Sequence, residues 1–580
     1  VANTNGGGVI AAVLAAEGVT KVFGIPDGTY LGLLNALVAA GIDVVTPRHE
    51  TTAIHMAGAY ARLTGTLGVA IASNGPGVAN ALPGITVENA EGNRVLVITS
   101  SRRHGITYPD RGGTYQYFDQ VAAIRPISKW SETTPTPDRL PELLRAALRH
   151  CYRGRPGVVH LDVPESVVNG KTKPVTPIAP GRTRATALPA PDPALLDQAA
   201  TMLANAAVPI LHAGGGVIHA GAHDPLTRVA EMLHAPVTTS WSGRGAMSET
   251  SPLVWPITAI EPTDEVRGVA DVVLVLGSRI GETDWWGRPP HWKGEGQKII
   301  QVDIDETAFG RNKPVDLGIV GDVGAFLAGL VKRLEAMQLT VPAARRTEVE
   351  RLIEARAKDA AKLEKAKRDT GVPMVTAHVP LACMDVFDED AIVVADGGNT
   401  AVWANFYHRV RVPNSMLGTP HFGMLGAGVG QALGAAEAFP ERQVYCIIGD
   451  GAFGMHLQEI ETAVRNGNRV VYLVISDRQW GMVKMTQSVA KAPVKMMLRK
   501  TLEEGATVNS DLGEVGYDAL ARAMGAHGER VADPAELAPA LRRCLESGRC
   551  SVVHVDVDPV KHMWAPGLLH FKKMHQEPGG

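Results

Sequence analysis

The sequence predicts an α/β protein of three consecutive doubly wound parallel-sheet domains. Three observations carry that expectation. Apolar runs of strand length, such as Val444–Ile448 and Val470–Ile475, alternate with stretches of helical period. Glycine-rich turns follow these runs, as at the carboxyl edge of a parallel sheet covered by helices on both faces. The length of 580 residues leaves room for about three to four domains.

The first domain spans residues 1–170. Residues 9–20 read as an amphipathic helix ending at Gly18. Lys21–Ile25 is a strand, and Pro26-Asp27-Gly28 turns at its carboxyl end. A helix from Leu31 to Ala40 and a strand from Asp43 to Thr46 lead into Arg48-His49-Glu50, which opens a helix with small residues on one face. On its own, Glu50 is a helix-start acid favoured by the dipole. Val69–Ser73 is a strand, followed by Asn74-Gly75-Pro76-Gly77 and a helix from Ala79. Residues 171–192, rich in Pro, Thr and basic side chains, form an extended linker.

The central domain, 193–342, has strands at Val208–His212, Pro236–Thr239, Val272–Leu276 and Lys298–Val302. The turns at 213–217 and Gly277-Ser278-Arg279 serve equally as tight structural turns or as close approaches to a nucleotide diphosphate. Residues 343–372 form a helical linker whose acids and bases interleave, a solvated connector and no nucleic-acid arm.

The third domain, 373–558, has a strand at Ile392–Ala395 that runs into Asp396-Gly397-Gly398-Asn399-Thr400. Further on, Gly449-Asp450-Gly451 and Ser476-Asp477 end two successive apolar runs separated by a helix. Two carboxylates at that edge, beside free N–H groups at a helix start, suit a Mg²⁺ that carries a diphosphate. The tail, 559–580, presents Trp564, Leu568, Leu569 and Phe571, either as a lid over the site or docked on the surface.

Charged residues make up 20% of the chain and the net charge is −3, so composition offers no case for nucleic acid or an anionic membrane as partner. No apolar run approaches the ~18 residues of a membrane span. The start, VANTNGGG, has no secretory pattern. The five cysteines have no CxxC pair or metal-ligand spacing, which fits reduced thiols and a cytoplasmic setting.

Gly449-Asp450-Gly451, then 24 residues, then Ser476-Asp477 resembles the thiamine diphosphate (ThDP) motif, which usually ends in Asn-Asn. VFGIP at 22–26, RHETTAIHMAGAYARLTG at 48–65 and NGPGVANAL at 74–82 resemble the pyrimidine-binding domain of the same enzymes. GGTYQYFDQV at 112–121 resembles an acetolactate synthase segment. The resemblance covers about residues 9–558. It implies a pyrimidine-binding, a central nucleotide-binding-like and a diphosphate-binding domain, in that order. It also implies Asp450, Asp477 and the carbonyl of Gln479 as Mg²⁺ ligands. Glu50 would hydrogen-bond N1′ of the aminopyrimidine, and Gln116 would reach the substrate side. Leu425 would wedge under the cofactor, with the Gly423 carbonyl at the 4′-amino group. Pro26, Gly28, Gly75, Gly398, Asn399, Thr400, Gly449, Gly451, Ala452 and Phe453 complete the cofactor contacts. The central domain of such enzymes holds FAD, ADP or nothing. Their sites are shared between chains, which implies at least a homodimer and points to a homotetramer.

By this resemblance the reaction is decarboxylation of a 2-oxo acid such as pyruvate and ligation of the carbanion to a carbonyl acceptor. The alternatives are sulfoacetaldehyde acetyltransferase-like acyl transfer to phosphate and a C–C lyase or hydrolase. Three positions depart from acetolactate synthases: Glu165 stands for a Lys, Thr486 for a channel Trp, and Asp27 for a Gly. Asp27 adds a carboxylate that could relay a proton or repel an anionic acceptor. No adjacent His-His pair accompanies the turn at 26–28, which argues against simple aldehyde release.

Overall fold

A computed structural model of the chain describes residues 4–491 and 507–574. Three six-stranded, wholly parallel sheets follow one another along it. In the first domain the strands are β1 (Lys21–Gly24), β2 (Asp43–Val45), β3 (Gly68–Ala72), β4 (Val95–Ser101), β5 (Trp130–Thr133) and β6 (Val158–Pro164). They lie in the order β2-β1-β3-β4-β6-β5. The central domain has β7 (Pro209–Ala213), β8 (Val237–Thr239), β9 (Val254–Trp255), β10 (Val272–Leu276), β11 (Lys298–Asp303) and β12 (Leu317–Val320), ordered β9-β8-β7-β10-β11-β12. The third domain has β13 (Ile392–Asp396), β14 (Met416–Leu417), β15 (Val444–Gly449), β16 (Val470–Ser476), β17 (His527–Val531) and β18 (Ser551–Asp556), ordered β14-β13-β15-β16-β18-β17. The first and third sheets therefore share one strand order. Each reverses direction between its first and third strands, and such a reversal opens a crevice at the carboxyl edge.

The central strands are continuous hydrophobic runs because helices cover both faces. Every residue of β16 and β10 is buried. Helix α1 (Glu50–Thr64) packs beside α2 (Pro76–Glu91) in the first domain and against α4 (Ala427–Ala438) of the third, while α3 (Gly398–Tyr407) follows β13. Small residues make the α1–α4 seam possible. A Cβ at Gly434 would lie 2.4 Å from the Met56 carbonyl oxygen, and one at Gly430 would lie 2.9 Å from the His55 Cβ. Phe23, Ile54 and Val97 thus belong to the same apolar core as Val429, Ile448 and Tyr472, while the central domain has cores of its own.

The first helix runs over Gly6–Ala16, earlier than expected, because the Asn5 side chain caps it at the Gly8 N–H (2.8 Å). The connector 343–372 is not wholly solvated. Arg345 is buried and donates to the carbonyls of Leu233, Ala204 and Ala206, sealing helix ends of the central domain. In the linker 171–192, the Arg184 guanidinium stacks 3.5 Å over Tyr152 and pairs with Glu17. At the end of the chain come α5 (Gly481–Lys491), α6 (Pro559–Met563) and α7 (Leu568–Met574). The expected tail extends to residue 580, and its last six positions lie outside the described residues. Among the described residues no helix is long and apolar enough to cross a membrane. All five cysteines are buried and free.

Candidate active site

Asn399 follows β13, Asp450 follows β15 and Asp477 follows β16, so neighbouring strands deliver all three to the crevice of the third sheet. Gly397 takes φ 88° to open α3, and a Cβ there would sit 2.9 Å from the Gly449 nitrogen. A Cβ on Gly449 would in turn sit 3.1 Å from the Thr400 hydroxyl. The glycines thus let two helix starts approach each other, and their first N–H groups are unpaired within the helices.

Asp450 accepts from the Gly451 N–H at 2.7 Å through Oδ1 and from the Arg478 N–H at 2.8 Å through Oδ2. Burial, then the charge of Asp477, pushes its carboxyl up to about 6. Burial pushes Asp477 up to about 7. Among the described residues no charge fully offsets the burial of either acid: Lys484 acts against it at Asp477 and His562 at Asp450, yet both carboxyls stay raised. Asp477 Oδ2 and both polar atoms of Asn399 are buried without hydrogen-bond partners. A Cβ on Gly481 would lie 2.9 Å from that carboxylate oxygen and 3.1 Å from the Asn399 amide nitrogen, so the two groups flank one small space. Orphaned buried polar atoms are costly and call for an explanation. A divalent cation carrying a diphosphate fits both the missing charge and the free polar atoms. Arg478 takes φ 55° between Asp477 and Gln479, a strained turn of the kind found at functional sites.

The side chains of Phe453 and Gln479 both have partners of their own. The Phe453 ring is in the core, 5.5 Å from Tyr472 and Tyr517, so only its backbone can face a cofactor. The Gln479 side chain reaches the Pro559 carbonyl at 2.8 Å, which leaves its own carbonyl for a cation. Ala452 is buried, and its Cβ lies 3.6 Å from where a Cβ on Gly397 would sit. Gly423 (φ 70°) and half-buried Leu425 lie in the loop before α4. Glu91 pins this loop by accepting from the His421 and Phe422 N–H groups at 3.0 and 2.9 Å, and burial raises Glu91 to about 7.

A second group gathers at the matching crevice of the first sheet. Glu50 opens α1, is 8% exposed, and accepts from Asn80 Nδ2 at 3.1 Å. Its carboxylate bonds to α2, and its position lies about 170° around the helix from the face that meets α4. Gln116 takes φ 53°, and its carbonyl accepts from Asn74 Nδ2 at 3.1 Å. Gly75 is required there, since a Cβ would lie 2.5 Å from that oxygen. Asp27 sits in the turn with Pro26 and Gly28, but its Oδ1 accepts from the Thr29 N–H (2.8 Å) and hydroxyl (2.6 Å). That is a capping role for Oδ1, and Oδ2 takes no part in those two bonds. Glu165 pairs with Arg102 at 3.7 Å and Arg103 at 3.3 Å. The Thr486 hydroxyl bonds back to the Met482 carbonyl at 2.8 Å.

Sequence reasoning missed several participants: Asn74, Asn80, Tyr517, whose hydroxyl donates to the Asp450 carbonyl at 3.0 Å, and His562. His562 lies in the tail, 3% exposed, and burial pushes it down to about 4. It reaches back to Thr400 and to within 3.9 Å of Asp477.

The central sheet has its own crevice, about 900 Å³ in volume, between β7 and β10 and opening toward the first domain. Gly216 and Gly277 cross at its floor, where a Cβ on Gly216 would lie 2.7 Å from the Gly277 Cα. Arg155, Arg279, Arg311, Asp303, Asp305 and Trp286 line it.

Comparison with known proteins fits this architecture. "Thiamine pyrophosphate enzyme, N-terminal TPP binding domain" matches residues 4–123, the central domain of the same enzymes matches 196–330, and their C-terminal TPP binding domain matches 396–555. An acetolactate synthase large subunit of Mycobacterium tuberculosis is 30% identical over 95% of this chain and 96% of its own length. A probable acetolactate synthase large subunit of Methanocaldococcus jannaschii is 29% identical over 96% and 92%. A sulfoacetaldehyde acetyltransferase of Castellaniella defragrans is 29% identical over 92% and 89%. The chain belongs to the thiamine pyrophosphate enzyme family, as a ThDP-dependent transferase or lyase of its acetolactate synthase-like branch.

Proposed function

We propose that the enzyme decarboxylates a 2-oxo acid, pyruvate by default, and joins the resulting acyl carbanion equivalent to a carbonyl acceptor, using ThDP and Mg²⁺. The observation that carries the metal and diphosphate part is the pair of buried, unpartnered groups at Asn399 and Asp477, beside Asp450. Asp450, Asp477 and the Gln479 carbonyl would hold the cation. The amides of Gly398, Asn399, Thr400, Gly449, Gly451 and Ala452, with the Asn399 and Thr400 side chains, would hold the diphosphate. When bound, ThDP supplies the nucleophilic carbon and the electron sink. Glu50, buried and oriented by Asn80, would hold the proton at the pyrimidine N1′. Leu425 and Gly423 would set the pyrimidine's tilt and its 4′-amino contact, and Gln116 would orient substrate.

Because Glu50 faces away from its own chain's α4 seam, the reading includes at least a homodimer with shared sites, and a homotetramer by extension. Exposed Tyr108, Tyr115, Phe422 and Met455 supply apolar surface for a second copy. The 900 Å³ central crevice supports a nucleotide diphosphate there, FAD or ADP, with its arginines toward the phosphates and Asp303 or Asp305 toward a ribose. An absorption band near ~450 nm in the purified protein identifies a flavin. A second reading, acyl transfer to phosphate, draws on Arg102 and Arg103 at the carboxyl edge of the first sheet, where an anionic acceptor would be met.

The test is pyruvate consumption with ThDP and Mg²⁺, with products resolved. Acetolactate supports the first reading, and a protein that binds ThDP but consumes no pyruvate overturns it. The second reading is tested with sulfoacetaldehyde and phosphate, where loss of sulfite leaves the acyl group at the oxidation level of acetyl phosphate with no external oxidant; acetyl phosphate and sulfite in equal amounts support it, and their absence overturns it.

A further inference from the structure

The C-terminal segment neither stands free nor merely covers a surface. It begins at β18, and the Asp558 carboxylate caps α6 at the Val560 and Lys561 N–H groups (2.9 and 3.0 Å). Gln479, in the turn after β16, donates to the Pro559 carbonyl at 2.8 Å and so ties that turn to the start of the segment. One residue of α6 points inward. The His562 carbonyl accepts from Trp403 Nε1 at 2.8 Å, and its Nδ1 lies 2.7 Å from the Thr376 hydroxyl. Those two anchors fix the ring, so its Nε2 is 3.4 Å from the Thr400 hydroxyl and 3.9 Å from Asp477 Oδ2. Where the Thr376 hydroxyl donates to Nδ1, the ring proton is on Nε2 and faces the crevice.

Beyond α6, Met563 and Leu568 pack with Met485 of α5. Gly567 then passes so close to Phe406 that a Cβ would lie 2.4 Å from the ring. The far end docks on the central domain: Trp285 Nε1 donates to His570 Nε2 at 3.3 Å, and Phe571 lies 5.1 Å from Trp241. The segment therefore bridges the central domain and the diphosphate crevice.

We propose that His562 is a positioning residue of the diphosphate–metal crevice, carried there by a C-terminal strap whose far end is held by the central domain. This rests on the reading that the crevice binds ThDP with Mg²⁺. By fixing the Thr400 hydroxyl and standing beside the free oxygen of Asp477, His562 preorganises both for the ligand. It touches neither substrate nor reacting atoms.

The experiment measures the ThDP dissociation constant in Mg²⁺ by quenching of tryptophan fluorescence in the full chain. Trp480 and Trp403 border the crevice and report directly on it. The variants are His562→Ala, His562→Gln and Phe571→Ala. Expected are a dissociation constant raised about tenfold in His562→Ala, recovery to within about threefold in His562→Gln, whose amide donates near the Nε2 position, and a smaller rise in Phe571→Ala. The substrate KM at saturating ThDP stays within about twofold, a split that general unfolding would not give. His562→Ala binding ThDP as tightly as the parent overturns the proposal, and so does His562→Gln no better than His562→Ala. If His562→Ala does not fold, His562→Gln and Phe571→Ala decide: both matching the parent while ThDP protects Phe571→Ala from heat as fully as the parent overturns it. Failure of the parent protein itself to bind ThDP overturns the cofactor reading instead.

Discussion

Replacing Asn399 by leucine should stabilise the protein without cofactor and abolish the stabilisation that cofactor brings. Asn399 is 4% exposed, and its amide nitrogen and oxygen both lack partners. Each unsatisfied buried polar atom costs about 1–3 kcal/mol. Leucine is close in size and carries no polar group, so removing two such atoms returns about 2 kcal/mol after imperfect packing is allowed for. For a unit of this size that is a rise of about 4–8 °C in the unfolding midpoint. ThDP with Mg²⁺ at a hundredfold excess over its dissociation constant adds about 2.7 kcal/mol to a protein that binds it. The parent should gain that increment and Asn399→Leu should not. Thermal unfolding followed by fluorescence, with and without ThDP and Mg²⁺, reads both effects at once. A variant that melts earlier than the parent yet keeps the full cofactor increment would falsify the assignment and make Asn399 a structural residue.

Glu50→Gln should lower kcat by about 10²–10⁴-fold, the range for a positioned proton carrier, while the ThDP dissociation constant changes only a few-fold; equal turnover in the two proteins would refute the role. Gly451→Ala places a Cβ 2.5 Å from the Trp480 ring, so it should cost about 1–3 kcal/mol and weaken ThDP binding about tenfold, read by fluorescence titration. Burial pushes His160 and His408 each down to about 3. A histidine depressed on folding contributes stability that is complete above about pH 6.5 and is lost as pH falls toward its folded value, at about 1.4 kcal/mol per pH unit for each. Their joint share of the stability should therefore be about 2 kcal/mol smaller at pH 5.5 than at 6.5, read by urea unfolding as the pH-dependent difference between the parent and a variant with both histidines replaced by Gln, and a difference that does not change over that unit would contradict their neutral burial.

Much of the crevice could be read from the chain because its chemistry is local. Gly449-Asp450-Gly451 and Asp477 each end a buried apolar run, and adjacent parallel strands must then bring them to one edge. Strand positions were clear where runs were long and turn residues flanked them, as at Val272–Leu276. Leu317–Val320 was missed because four residues, LGIV, carry no period, and Trp130–Thr133 because only its sheet neighbour makes it a strand. Asp27 carries a local signal as well: a Thr two residues after an Asp favours a cap, and the structure has that cap at Oδ1. His562 had no signal at all. Nothing in the spacing between the tail and Asp477 shows that α6 folds back over β16, because that depends on how α5 and α6 pack.

The seam between α1 and α4 has a consequence for biosynthesis. The apolar face of α1 fits glycines that the ribosome adds about 370 residues later, which at about 5–20 residues per second takes about 20–75 seconds. Throughout that interval the N-terminal sheet can be complete, yet its Met56 and Ala59 face waits for Gly430 and Gly434. The central domain, with a separate core, matures meanwhile. The nascent chain is therefore most prone to misassociation before its last third emerges, and a truncated product that stops before α4 should depend on chaperones or be degraded.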